Sequence, residues 1–208
     1  RLEAWMGADA LAGACADEAR GTAACGPPVD GDWARMKSSN SGHLCSAGSS
    51  GRLGPPRPMR FAALAWFQGE SNLDTFEGAW AAGANYACRF PRALAGWRDA
   101  FGAPALPFVY VELAACDTYP SVELAAGWPA MRAAQRAALA LPGASFATAL
   151  DLGNAAHAAH SEVKEPLGRR VALQLRRRAY GHALCADGPT LARAPARGDD
   201  APTLAVIY

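Results

Sequence analysis

Phe61-Ala62-Ala63-Leu64-Ala65-Trp66-Phe67, followed at once by Gln68-Gly69-Glu70-Ser71-Asn72, is the stretch on which the fold turns. A short, continuously apolar run that ends in turn residues predicts a strand buried on both faces, as in a parallel sheet. Downstream, the pattern changes period. Phe90, Leu94, Trp97 and Phe101 fall on one helical face and predict a helix from Tyr86 to Phe101. Leu106–Leu113 then reads as a second buried strand. Pro129–Leu141 reads as a second helix, with Pro129 in its first turn and Pro142-Gly143 ending it. Ser145–Leu150 is a third strand. A third helix runs from about Glu162 to Tyr180, with Val163, Leu167, Val171 and Leu175 every fourth residue and Pro166 confined to its first turn.

Alternating strands and helices imply an α/β protein: a mainly parallel sheet in a three-layer α/β/α arrangement. Ligand sites in such sheets lie beyond the carboxyl ends of the strands. The Gln68–Asn72 turn, the segment after Leu113 and the loop Asp151–His160 are therefore expected on one rim, and these are also the polar segments.

Upstream, residues 1–60 are poor in periodicity, and the stretches 38–42 and 46–58 read as surface loops. At the other end, Gly188–Ala192 and Thr203–Tyr208 read as two strands. The expected organisation is one domain over 1–183 and the start of a small β segment over 184–208.

Twenty basic and nineteen acidic residues leave a net charge of +1, which gives no reason to expect nucleic acid or an anionic membrane as partner. Arg176-Arg177-Arg178 reads as a solvated helix face. No apolar stretch approaches the roughly 20 residues of a membrane span. Six cysteines, at positions 15, 25, 45, 88, 116 and 185, show no CxxC spacing, so a zinc site is not indicated. Disulfides, with Cys15 and Cys25 able to close a short loop, and buried free thiols both fit the count.

The residues Trp66-Phe67-Gln68-Gly69-Glu70-Ser71-Asn72 resemble the WYQGESN block of the sialate O-acetylesterases, carbohydrate esterases of the SGNH-hydrolase class. The similarity continues in order along the chain. Glu3-Ala4-Trp5 resembles an EAW stretch, Phe90–Arg98 an FPxLIxDWR helix, and Leu106–Leu113 a PFxxVQL strand. Trp128–Arg132 with Gln135 is similar to a helix bearing Arg and Gln. Asp151–Gly153, His160, Lys164 and Gly168-Arg169-Arg170 are similar to a DLG followed by an IHPxxKxxxGRR signature.

The resemblance implies a hydrolase that removes acetyl groups from sugar hydroxyls, notably those of sialic acid, through a serine acyl-enzyme and without a metal or other cofactor. It implies His160 as general base. Gln68, Gly69, Glu70 and Asn72 would form an oxyanion or substrate-binding block, with Gln68 or Asn72 donating and Glu70 holding the turn. A plainer reading has Ser71 or Asn72 capping a helix that starts at Leu73. Arg132 would meet a sialic carboxylate, or else serve an ordinary ion pair. Asp151, nine residues upstream, is the nearest preceding acid and would orient His160 only if the loop folds back, a backbone carbonyl being the alternative; His157 stands where such enzymes often place an Asp, and Ser161 replaces the usual Pro. His43, His157 and His182 have no comparable context.

Nothing here matches the family's GQSN-like nucleophile block, which the resemblance places ahead of Glu3-Ala4-Trp5, together with the first strand. Ser38, Ser39, Ser41 and Ser71 all lack the required setting. The nucleophile is therefore expected outside this chain. An inactive homologue that binds glycans or partners, and an acetylxylan-type esterase, are the competing expectations. The family likeness favours a secreted or lumenal location.

Overall fold

A computed structural model describes residues 2–6, 10, 59–73, 79–116, 127–153, 164–188, 190–191 and 206–207. The segment carrying His157, His160 and Ser161 lies outside these, as do Cys15, Cys25, Cys45, His43 and the loop serines.

Three strands form a parallel sheet in the order β1 (Leu64–Trp66), β2 (Phe108–Glu112), β3 (Ala144–Thr148). The register pairs Leu64 with Phe108 and Phe108 with Ala144. Glu70–Leu73 makes a single turn, α1; α2 spans Ala79–Ala100, α3 Trp128–Gln135 and α4 Glu165–Tyr180. A short antiparallel pair, β4 (Thr190–Leu191) with β5 (Val206–Ile207), matches the two strands read near the end. Among the described residues no helix is long and apolar enough to cross a membrane.

Side chains alternate across β2. Phe108 and Tyr110 join Tyr86, Phe90, Leu94 and Trp97 of α2 and Met131 and Ala134 of α3 in the larger core. Val111 faces the other way and packs with Ala147 of β3 and Leu167 of α4. Helices thus cover both faces, giving the α/β/α layering that the strand and helix order implied. Aromatic burial dominates the large core, as an alanine-rich chain requires, because each fully covered large side chain contributes about 1.5–3 kcal/mol.

Local departures from the sequence reading have simple causes. β2 is buried on both faces, whereas β1 is not: Leu64 and Trp66 are half-buried and Ala65 is exposed. β1 is an edge strand of the described sheet, so one flank lacks a neighbour there. α2 begins at Ala79, about two turns before the expected start at Tyr86, in an alanine-rich stretch with high intrinsic helix propensity. It also runs through Pro91, which removes one backbone hydrogen bond; the buried face on either side outweighs that loss. The second helix changes to a tighter 3-10 form at Arg136–Ala140. The helix after β1 starts at Glu70 rather than Leu73, so Ser71 and Asn72 lie inside it rather than at its N-cap. The Asn72 N–H closes the turn on the Gly69 carbonyl at 3.0 Å.

Arg98, buried at the amino-terminal edge of the sheet, donates to the Leu106 carbonyl at 2.7 and 3.0 Å and to the Pro142 carbonyl at 2.7 Å. It ties the chain entering β2 to the chain entering β3. α4 ends at Gly181, whose φ of 68° suits glycine, and Gln174 holds the following segment through Ala186 and Asp187. Cys88 is disulfide-bonded to a partner outside the described residues, while Cys116 and Cys185 are free thiols.

Candidate active site

At the carboxyl ends of the strands, β1 stops pairing with β2 after Trp66 and Tyr110. The gap is filled by side-chain amides. Gln135, fully buried on α3, accepts the Leu113 N–H at 3.1 Å, and its Nε2 donates to the Val111 carbonyl at 3.0 Å and the Gln68 carbonyl at 3.3 Å. The Gln68 carbonyl also accepts from the Tyr86 hydroxyl at 3.2 Å. Gln68 Nε2 donates to Asn72 Oδ1 at 2.8 Å, and that oxygen accepts the Leu2 N–H at 2.9 Å.

The Leu2–Trp5 turn is thereby drawn onto the rim. Its Trp5 carbonyl accepts from Trp97 Nε1 at 2.7 Å, and its ring meets Trp66 edge-on at 5.7 Å between centroids. Trp5, Trp66 and Trp97 also line an apolar groove alongside β1, with Phe101 and Phe108.

Gly69 sits where a side chain does not fit. Its φ is 156°, and a Cβ would come within 2.9 Å of Leu113 Cδ1. The Gln68 carbonyl, held by two donors, points toward Gln135 and Tyr86. In a planar trans peptide the next N–H points the opposite way. The Gly69 N–H is thus turned away from both, and it has no hydrogen-bond partner among the described residues. Such a fixed, unspent donor is what an oxyanion site requires.

Charged side chains of β2, α3 and the start of α4 stand on the neighbouring elements. Arg132 is half-buried and donates to the Ala114 carbonyl at 3.3 Å. Burial lowers its pKa, with the charge of Arg136 acting the same way and Glu112 opposing it. Glu112 itself is committed to Arg136 at 2.7 and 2.9 Å. Arg132 is left without a carboxylate partner among the described residues. Lys164 Nζ lies 4.9 Å from the centre of the half-exposed Phe67 ring, bringing the start of α4 over the residue next to Gln68.

Asp151 lies on the far side of the rim. Its two oxygens meet Arg170 at 2.6 and 2.7 Å, and this hydrogen-bonded pairing holds its carboxyl below the usual carboxylate range. Next to it, Gly153 is pressed against Ala115: an added Cβ would stand 2.2 Å from the Ala115 carbonyl oxygen. The loops after β2 and β3 therefore touch backbone to backbone.

The structure brings Gln68, Gly69 and Asn72 into one hydrogen-bonded unit, with Glu70 opening the short α1 beside them. Arg132 stands on the helix above, Asp151 is separate from the unit and tied to α4, and His160 lies outside the described residues. Sequence reasoning missed the parts played by Gln135 and Tyr86. One signal for Gln135 was available: it occupies a core position in the Met131, Ala134, Ala138 stripe, where a polar residue demands partners. Among the described residues no three His, Cys, Asp or Glu side chains converge as a metal site would need.

No curated protein matches this chain. A crystal structure of a carbohydrate acetylesterase from Xanthomonas citri superposes with a TM-score of 0.69 at 28% sequence identity, covering 94% of this chain and 38% of that one. The chain thus spans well under half the length of the protein it matches. Residues 23–177 match the family model described as carbohydrate esterase, sialic acid-specific acetylesterase. With most of its length inside that match and its fold superposing on an acetylesterase, the chain belongs to the sialic acid-specific acetylesterase family of carbohydrate esterases.

Proposed function

We propose that this chain forms part of an esterase that removes O-acetyl groups from sialic acids through a serine acyl-enzyme, with the serine outside this chain and His160 as general base. The observation that carries the reading is the fixed Gln68–Gly69 peptide, whose N–H, directed away from Gln135 and Tyr86, has no partner among the described residues. It supports a site where negative charge develops on an acetyl carbonyl oxygen. Serine Oγ attacks that carbonyl while His160 accepts its proton and passes it to the departing sugar oxygen. Water then attacks the acetyl-enzyme, releasing acetate and restoring the serine.

The segment that carries His160 runs between two anchors on the rim, Gly153 against Ala115 and Lys164 over Phe67, which supports delivery of an imidazole there. Asp151 is assigned a share in orienting that imidazole, in addition to its pairing with Arg170. Arg132 favours an acidic sugar over a neutral one. It is a partly dehydrated cation without a carboxylate partner among the described residues, suited to a sialic carboxylate.

The test uses the full-length product containing this chain, assayed for acetate release from O-acetylated sialic acid and from acetylxylan. Release from the sialic ester, abolished by His160→Ala, is expected. Arg132→Gln should raise KM for the sialic ester about tenfold, the loss of one charged contact. Unchanged turnover in His160→Ala would remove the proposed base, and preference for acetylxylan would remove the sialate assignment.

A further inference from the structure

The end of the β1–β2 ladder is completed by a side chain, and this gives Gln135 a role beyond packing. β1 and β2 pair through Trp66 and Tyr110 and then part, leaving the Gln68 carbonyl on one side and the Val111 carbonyl and Leu113 N–H on the other. One acceptor and two donors are needed to satisfy these three groups. A primary amide supplies that set; a carboxylate lacks the donors, and an apolar side chain lacks everything. Asparagine carries the same groups but is one methylene shorter. Gln135 is fully buried, so it is shielded from the water that would otherwise compete for its partners.

We propose that Gln135 is a positioning residue for the acyl-transfer centre: it fixes the plane of the Gln68–Gly69 peptide and so aims the Gly69 N–H. This rests on the esterase reading above. Tyr86 acts with it as the second donor to the same carbonyl. Gly69 completes the device, because a Cβ there would lie 3.5 Å from Gln135 Nε2 and 2.9 Å from Leu113 Cδ1. Gln135 itself touches no reacting atom.

Arg98 supplies the control. It too is a buried side chain bridging backbone carbonyls, at the opposite end of the sheet. In the full-length protein, Gln135→Met should lower kcat for acetate release about 10- to 100-fold, less than the 10²–10³ seen when an oxyanion donor is removed outright, with KM within about twofold. Tyr86→Phe, a milder change that removes only one of the two donors, should lower kcat several-fold. Arg98→Met should reduce the melting temperature while leaving kcat per folded molecule unchanged.

A second readout is independent of turnover. Sodium acetate titrated into 15N-labelled protein should shift the Gly69 amide saturably in wild type and Arg98→Met, and at least tenfold more weakly in Gln135→Met. Absence of acetate release by wild type would overturn the esterase reading alone, and the titration then decides the positioning claim. Wild-type kcat in Gln135→Met, or an equal Gly69 response in wild type and Gln135→Met, would overturn it.

Discussion

Replacing Gly153 by Ala tests whether the loops after β2 and β3 are locked together at the rim. The backbone of Gly153, with φ −65° and ψ 153°, is open to any residue, so conformational strain at this position is excluded as a cause. Only space matters. The added Cβ would lie 2.2 Å from the Ala115 carbonyl oxygen and 3.1 Å from its carbonyl carbon. A close carbon–oxygen contact is about 3.3–3.6 Å, so the two backbones must separate by about 1 Å. That movement strains the hydrogen bond from the Ala115 N–H to the Leu150 carbonyl, already 3.3 Å long.

Overpacking of this kind costs about 1–3 kcal/mol. At 2–4 °C per kcal/mol for a domain of this size, the melting temperature should fall by roughly 2–12 °C. Gly168 provides the opposite sign. It lies on an exposed part of α4, and a Cβ added there would meet nothing within 4 Å. Gly168→Ala should therefore stabilise by about 0.5–1 kcal/mol through helix propensity alone. Thermal unfolding followed by circular dichroism reads both. A Gly153→Ala protein that melts with wild type, or a Gly168→Ala protein that loses stability as Gly153→Ala does, would refute the steric reasoning.

Asp151→Asn should lower stability at neutral pH by no more than about 1 kcal/mol, since the pair with Arg170 is largely exposed. Because the Asp151 carboxyl is held below its ordinary value, the contribution is full above the unfolded pKa near 3.9 and lost as pH falls through the lower folded one. Wild-type and Asp151→Asn melting curves should therefore converge on acidification below about pH 4; a gap that widens there contradicts the assignment. Arg136→Met strands the Glu112 carboxylate, which is only 3% exposed, and should cost about 1.5–3 kcal/mol in urea denaturation. Adding Glu112→Gln to it should recover part of the loss. The Tyr110 hydroxyl is fully buried with no hydrogen-bond partner among the described residues, and burial raises its pKa. Tyr110→Phe should then raise stability by about 1 kcal/mol, and destabilisation by that amount would reveal a partner for the hydroxyl.

Several parts of the fold were legible because their signals are local. The apolar run before Gln68, the Phe90–Leu94–Trp97 spacing and the position of Pro166 each reflect backbone geometry over a few residues. They located β1, α2 and the start of α4 to within a turn or two. The family motifs marked the Gln68–Asn72 turn as the chemical centre, and the structure places that turn at the carboxyl end of β1.

What the sequence by itself determined is the order of elements, the parallel sheet and the identity of the polar turn, since periodicity and motif order are written along the chain. Only the tertiary structure decided which atoms in that turn are spent and which remain available. Gln68 Nε2 is used on Asn72, Asn72 Oδ1 on Leu2, and the Gln68 carbonyl on Gln135 and Tyr86, at separations of up to 70 residues. Hydrogen bonds between distant residues leave no periodic trace, because they depend on how strands and helices meet rather than on what neighbours what. The same holds for Asp151, whose partner Arg170 lies 19 residues on, in α4.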